Sequence, residues 1–356
     1  YFDQFRKARG LNLRILPPLA AGAALVWLAQ AAAVVISREV AALMEDGTLA
    51  LLHGLGPVVF WFLDDDVFAL GAEYPAFAPY VSADFRPMER GLSGILAATP
   101  ALAASLHHRL ALPQRPEVLP PAPAVDWPPA VGPNAMAAAI IGGAFRGAGL
   151  RDIVLPALHI AAPQVELVAH DNMRPFLPDD TARFVPFEMD FFRFLHLWQA
   201  LHPALLIHPP GQSANMPNKS DATVFIAFAL GAVPVVADEP AFAGWDESKG
   251  VVVVTSGGWE NALRRATDPA YGAVLRTRLK GEVERRQNSA PDLLALLGNP
   301  AAVSALERDL RLQRLFDAPP VPPALPVRRS IWARLRRSLW RRGLWPGDQT
   351  PKIASR

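Results

Sequence analysis

No cysteine occurs in the 356 residues, which excludes a disulfide framework, a Cys-ligated zinc site and a thiol nucleophile. The redox compartment stays open on that evidence. Lysine is almost as scarce, at Lys7, Lys219, Lys249, Lys280 and Lys352. The 8 histidines offer no i, i+4 pair: His107-His108 are adjacent and His196 and His202 are six apart, so no helical face presents two imidazoles to a metal. His53 reads as structural. Uncharged runs are rare because 36 prolines cut the apolar stretches short. One exception, Leu19–Ser37, is long enough for a membrane span. Its Ala-rich first half and the run Val34-Val35-Ile36 suit instead a buried helix followed by a strand. The chain opens on Tyr1 rather than Met, which reads as a processed or partial start, and no signal peptide is evident.

What is present is a globular composition, 51% hydrophobic and 19% charged, with room for two domains at roughly 150 residues each. General disorder is excluded. The net charge of +2 conceals a split: residues 1–325 carry −6, and residues 326–356 carry 9 basic side chains against Asp348 alone. Specific nucleic-acid binding by the body therefore loses its support. An anionic partner belongs at the C-terminus.

Helical and strand signals alternate along the first part: a helix near 20–31, a strand at 33–37, a helix at 38–53, then the apolar run Val58–Leu63 stopping at Asp64-Asp65-Asp66. Gly91–Ala98 reads as a strand, and Thr99-Pro100 as an N-cap and first-turn proline opening a helix to Leu110. Eight prolines then fall between Pro113 and Pro133, marking a boundary. Beyond it six further strand signals, 137–141, 165–169, 183–186, 204–208, 233–237 and 250–255, alternate with helices. Such alternation predicts α/β architecture with parallel sheets, whose ligands bind beyond the C-terminal strand ends.

The order of motifs then resembles a known family. Val34-Val35-Ile36-Ser37-Arg38-Glu39, Val58–Phe68 with its three aspartates, Ala97–Leu102 and Val125-Asp126-Trp127 are followed by Asn218-Lys219-Ser220 and Phe228–Ala237, and then by Trp259–Leu263. Over roughly residues 30–290 this is similar to the bacterial group-1, family-four-like glycosyltransferases. The resemblance implies two Rossmann-like domains facing across a cleft (GT-B type), with a nucleotide-sugar as co-substrate and no cofactor. It further implies transfer with retention and without a metal. The expected organisation is an acceptor-side domain over 1–112, a Pro-rich hinge over 113–134, a donor domain over 135–317, and a linker with a basic tail over 318–356.

Several residues are candidates for that chemistry. The loop from Gly142 and Gly143 through Arg146 to Gly149 offers backbone N–H groups at a helix start, where a diphosphate binds; a plain strand-to-helix turn is the bland alternative. Asn218, Lys219 and Ser220 follow a Pro-Gly-rich loop, and Lys219 is placed to stabilise a departing nucleotide, or is simply a solvated lysine. His170 and His208 stand at strand ends facing the expected cleft, with Ser213 in the loop beyond. Asp64, Asp65 and Asp66 suit a general base or acceptor-orienting group with mutually raised pKa values, a metal clamp, or a polar strand-end cap. No Gly-x-Ser-x-Gly elbow points to a hydrolase. The family's donor-site glutamates are replaced by Ile226 and Asn218, so a carboxylate from Asp221 or Asp238 is needed if the ribose is to be held. Without it, a catalytically degenerate membrane-attached binding or scaffolding module is the alternative.

The tail has its own logic. Ile331, Trp332, Leu335, Leu339, Trp340 and Leu344 recur at helical spacing among Arg328, Arg329, Arg334, Arg336, Arg337, Arg341 and Arg342. That pattern predicts an amphipathic helix on an anionic membrane surface; docking on an acidic protein face is the alternative. The expected setting is cytoplasmic and peripheral on the inner face of the cytoplasmic membrane. A glycan or lipid-linked acceptor in envelope polysaccharide synthesis fits that setting.

Overall fold

The computed structural model describes residues 25–121 and 134–317, except 39, 46–47, 83–84, 179, 187, 189–190 and 290. The basic tail, most of the Pro-rich hinge and the first 24 residues lie outside that set. Strands β1 (Ala33–Ser37), β2 (Val58–Leu63), β3 (Gly94–Ala97) and β4 (Glu117–Val118) form one parallel sheet in that order. The β2 run VVFWFL carries no polar residue because helices cover both faces of a parallel sheet. The described part of the stretch considered as a membrane span holds a helix, Leu25–Gln30, followed by β1. No helix among the described residues is long and apolar enough to cross a membrane. The single helix expected over 38–53 is two, Val40–Glu45 and Thr48–Leu55, with the turn-favouring Asp46-Gly47 between them in sequence. Thr99 caps the helix Pro100–Arg109, its hydroxyl accepting from Leu102 N at 3.0 Å.

The second sheet holds β5 (Asn134–Ile140), β6 (Glu166–His170), β7 (Arg183–Val185), β8 (Pro203–His208), β9 (Val233–Ala237) and β10 (Val252–Val254). Its order is β10-β9-β8-β5-β6-β7, all pairs parallel. The winding reverses between β5 and β8, which opens a crevice beyond their C-terminal ends. The helix expected from Leu150 opens earlier, with Gly147–Gly149, and passes through a π-helical turn, Leu150–Val154, before Leu155–Ala161. There Pro156 has no N–H to return to the preceding turn. The helix expected from Lys219 starts instead at Ala222 and ends at Gly231, whose φ of +67° closes it. Lys219 is thereby left on extended backbone.

The chain does not finish on the second sheet. Leu293 and Leu297 pack with Phe62, Leu96, Ala98 and Leu119 of the first sheet. Leu312 joins the core beneath β1 and β2, and Arg311 donates to the Ala31 carbonyl at 3.1 Å. Residues 293–317, expected to end the donor domain, thus rejoin the first one. Apolar contact decides this, since nothing in their local pattern distinguishes the two sheets.

Gly149 is a position of close approach: a Cβ there stands 2.1 Å from the Pro210 carbonyl oxygen. Gly149→Ala is expected to destabilise the protein by about 1–3 kcal/mol, read as a lower urea midpoint with an unchanged slope.

Candidate functional site

The buried polar and charged side chains of the described residues are Asp65, Asp66, Arg146, His170, His208, Asn215 and Glu239. All lie at or just beyond C-terminal strand ends: Asp65 and Asp66 after β2, Arg146 after β5, His170 in β6, His208 and Asn215 with β8, and Glu239 after β9. Burying polar groups is costly unless they are paired. Their concentration at the strand ends of the two sheets makes these ends the candidate site.

At the switch point Arg146, 1% exposed, is gripped by Glu239 through two parallel bonds of 2.7 and 2.9 Å. The same guanidinium donates to the Pro209 carbonyl and to Met216 Sδ at 3.6 Å. Glu239 also accepts from Gly211 N at 3.1 Å. One buried ion pair thus holds the start of the loop that follows β8 and touches its middle at Met216. His208 lies 3.9 Å from Glu239 and 3.5 Å from the Thr223 hydroxyl. Burial, reinforced by the charges of Arg146 and Lys219, holds its imidazole well below the ordinary value, so it is neutral. Glu239 does not reverse this because Arg146 already engages both its oxygens.

The loop so anchored reaches the first domain. Asn215 Oδ1 accepts from Asp66 N at 2.7 Å and its Nδ2 donates to Asp65 at 2.7 Å. Asn218 donates to Asp66 at 2.9 Å, and its carbonyl accepts from Thr99 at 3.1 Å. Lys219 Nζ meets Asp65 at 2.6 Å and stands 5.5 Å from the Phe145 ring centre. Ser213 donates to Glu73 at 2.7 Å, and Ala214 N donates to the same carboxylate.

The three aspartates have different duties. Asp66 caps the helix Val67–Glu73 through Phe68 N and Ala69 N, while its other oxygen accepts from Ser105 and Asn218. Asp64 is bound bidentately by Arg38 at 2.6 Å. Asp65 accepts from Lys219 and Asn215 and forms an ion pair with Arg38 at 2.8 Å. The expected mutual raising of pKa values is not what happens at Asp65. Burial opposes its ionisation, but Lys219 and Arg38 outweigh burial and hold the carboxyl below its usual range. Among the described residues no group of three or more His, Asp or Glu is arranged to hold a metal.

Of the other expected residues, the Gly142 carbonyl accepts from Asn172 at 3.0 Å and the Gly143 carbonyl from Arg146 N at 3.1 Å. Ser220 is half-buried in the same loop as Lys219. His170 packs edge-on against Phe194 and Trp198. The two carboxylates considered beside Ile226 differ in their surroundings. Asp221 is engaged by Trp245 Nε1 at 2.8 Å and Arg286 at 2.6 Å, and Asp238 is exposed. Glu239, the next residue, turns inward instead. Arg38, Glu73, Asn215 and Glu239 were not singled out from sequence; position immediately after a strand was the usable signal for Arg38, whereas Glu239 stands one residue further from β9.

No family model and no curated protein matches the sequence. Solved structures match in fold. HepE from Anabaena, in complex with UDP and glucose, is 12% identical with a TM-score of 0.53, covering 79% of this chain and 80% of that one. In its complex with UDP-glucose the values are 11% and 0.50, over 80% and 82%. TarM is 10% identical at a TM-score of 0.45 over 74% of this chain, which spans only 51% of TarM's length. The fold is therefore the two-domain GT-B architecture of glycosyltransferases.

Glu239→Ala is expected to cost about 3–5 kcal/mol by leaving Arg146 buried and unpaired, measured by equilibrium unfolding. The neutral imidazole of His208 sets a pH dependence. Below its ordinary value of 6.5 the unfolded chain binds a proton that the folded one refuses, so this contribution is complete above that pH and falls as pH drops. The melting temperature should decline on acidification, and less steeply in His208→Gln.

Proposed function

We propose that this chain is a glycosyltransferase that takes a nucleotide-sugar at the strand ends of the second sheet and passes the sugar to an acceptor held against the first. The observation that carries this reading is the gathering of the buried polar side chains at the facing C-terminal strand ends, in a fold shared with HepE, which was solved with UDP and UDP-glucose. A UDP-sugar is accordingly the first donor to test.

In this reading Lys219, whose side chain is 26% exposed, is the cation that meets the diphosphate as negative charge develops on it. Arg146 fixes the loop that aims Lys219, and the Gly142-Gly143 turn supplies main-chain donors. Asp66, with both oxygens engaged, shapes the corner. Asp64 and Asp65 are the carboxylates that meet an acceptor hydroxyl, holding it for attack once the donor is seated. His170, His208, Ser213, Asn218 and Ser220 complete the donor side. The Arg- and Trp-rich tail supports an anionic inner membrane surface as the place of work, with a glycan or lipid-linked acceptor. Transfer with retention and without a metal is what the sequence resemblance implies.

Two observations favour a second reading, a non-catalytic binding or scaffolding module. Ile226 is packed against the apolar cluster around Trp198, and Lys219 and Arg146 each pair with a carboxylate. A thermal-shift comparison of UDP, GDP, ADP, TDP and CMP on the full chain separates the two. Ligand at 100 times its Kd stabilises by about 2.7 kcal/mol. The expected outcome is a rise in melting temperature with UDP that disappears in Lys219→Ala. No rise with any nucleotide, in a cooperatively folded sample, supports the scaffold.

A further inference from the structure

Three groups converge on the Asp65 carboxylate: Lys219 Nζ at 2.6 Å, Asn215 Nδ2 at 2.7 Å and Arg38 at 2.8 Å. Two of the three belong to the loop after β8, so a carboxylate of the first domain fills a place built for an anion on the second. The two cations of that side are held very differently. Arg146 is bidentate and 1% exposed, whereas Lys219 makes a single bond to Asp65 from a side chain that is 26% exposed. A compact ammonium on a flexible stem exchanges partners readily; a planar guanidinium clamped at two points does not.

We propose that Asp65 is an internal stand-in for the donor's diphosphate, occupying Lys219 and Asn215 until a nucleoside diphosphate displaces it, and is thereby a determinant of donor affinity. This rests on the glycosyltransferase reading and adds to it a competitor within the chain. Exchange is feasible because Asp65 is not orphaned by it: Arg38 remains at 2.8 Å, so no buried charge is stranded. Nor does it part the domains. Asn215 stays bonded to Asp66 N, Asn218 to the Asp66 carboxylate, and Thr99 to the Asn218 carbonyl. The incoming diphosphate carries more charge than one carboxylate and wins the ammonium on that account.

The test is calorimetric titration of the full chain with UDP, inorganic pyrophosphate and uridine, in wild type and Asp65→Asn. Asparagine keeps the shape and the acceptor oxygen while removing the charge. The expected result is affinity for UDP and for pyrophosphate tighter by about tenfold, with uridine unaffected because it has no phosphate to compete. Should Asp65→Asn lose its cooperative unfolding, Asp65→Ser serves the same purpose. UDP binding to wild type with no gain in either variant overturns the proposal and leaves the functional reading standing. Absence of UDP and pyrophosphate binding in every folded form overturns both.

Discussion

A guanidinium shut away from water must find its countercharge inside the protein, and the position of Arg146 imposes that condition on its surroundings. Glu239 answers it from the end of β9, bringing Gly211 N with it, while Pro209 supplies a carbonyl from the end of β8. Three strand ends are thus tied to one side chain. The loop they define has little apolar surface of its own with which to hold a shape. Its path, and so the places of Asn215, Asn218 and Lys219, follows from where a buried charge is satisfied.

The same rule operates at the domain boundary with a different outcome. Asp66 is satisfied by local N–H groups, a serine and an asparagine, contacts that have no reason to change during a reaction cycle. Asp65 is satisfied by cations from both domains, both of them partly open to solvent. Neighbouring carboxylates of identical chemistry thus serve as a fixed joint and an exchangeable one. The difference lies in their partners, which is why the run Asp64-Asp65-Asp66 was ambiguous as a sequence.

Much of the edge was nevertheless readable. Strand ends could be located because parallel strands are continuous apolar runs, and Val58–Leu63 stopping at three aspartates is a sharp example. Thr99-Pro100 announced its helix by capping chemistry alone. Lys219 stood out by rarity and by its place between a loop and a helix. Glu239 did not, because choosing between it and Asp238 requires knowing which of two adjacent residues turns inward, and a loop has no period to settle that. Asn215 left no local signal, since its role arises only from contact with a segment about 150 positions earlier. The return of residues 293–317 to the first sheet was hidden for the same reason: an amphipathic helix encodes that it packs, but not against what.

That return has a mechanical consequence. The polypeptide passes from the first sheet to the second before β5 and back again before Leu293, so the two halves are joined by two covalent connections instead of one. A body held at a single point can swivel about any axis. Held at two points it can turn only about the line between them, as a door turns on a pair of pins. Any motion that admits a ligand between the strand ends must therefore bend two connections together, which restricts it more than a single connection would.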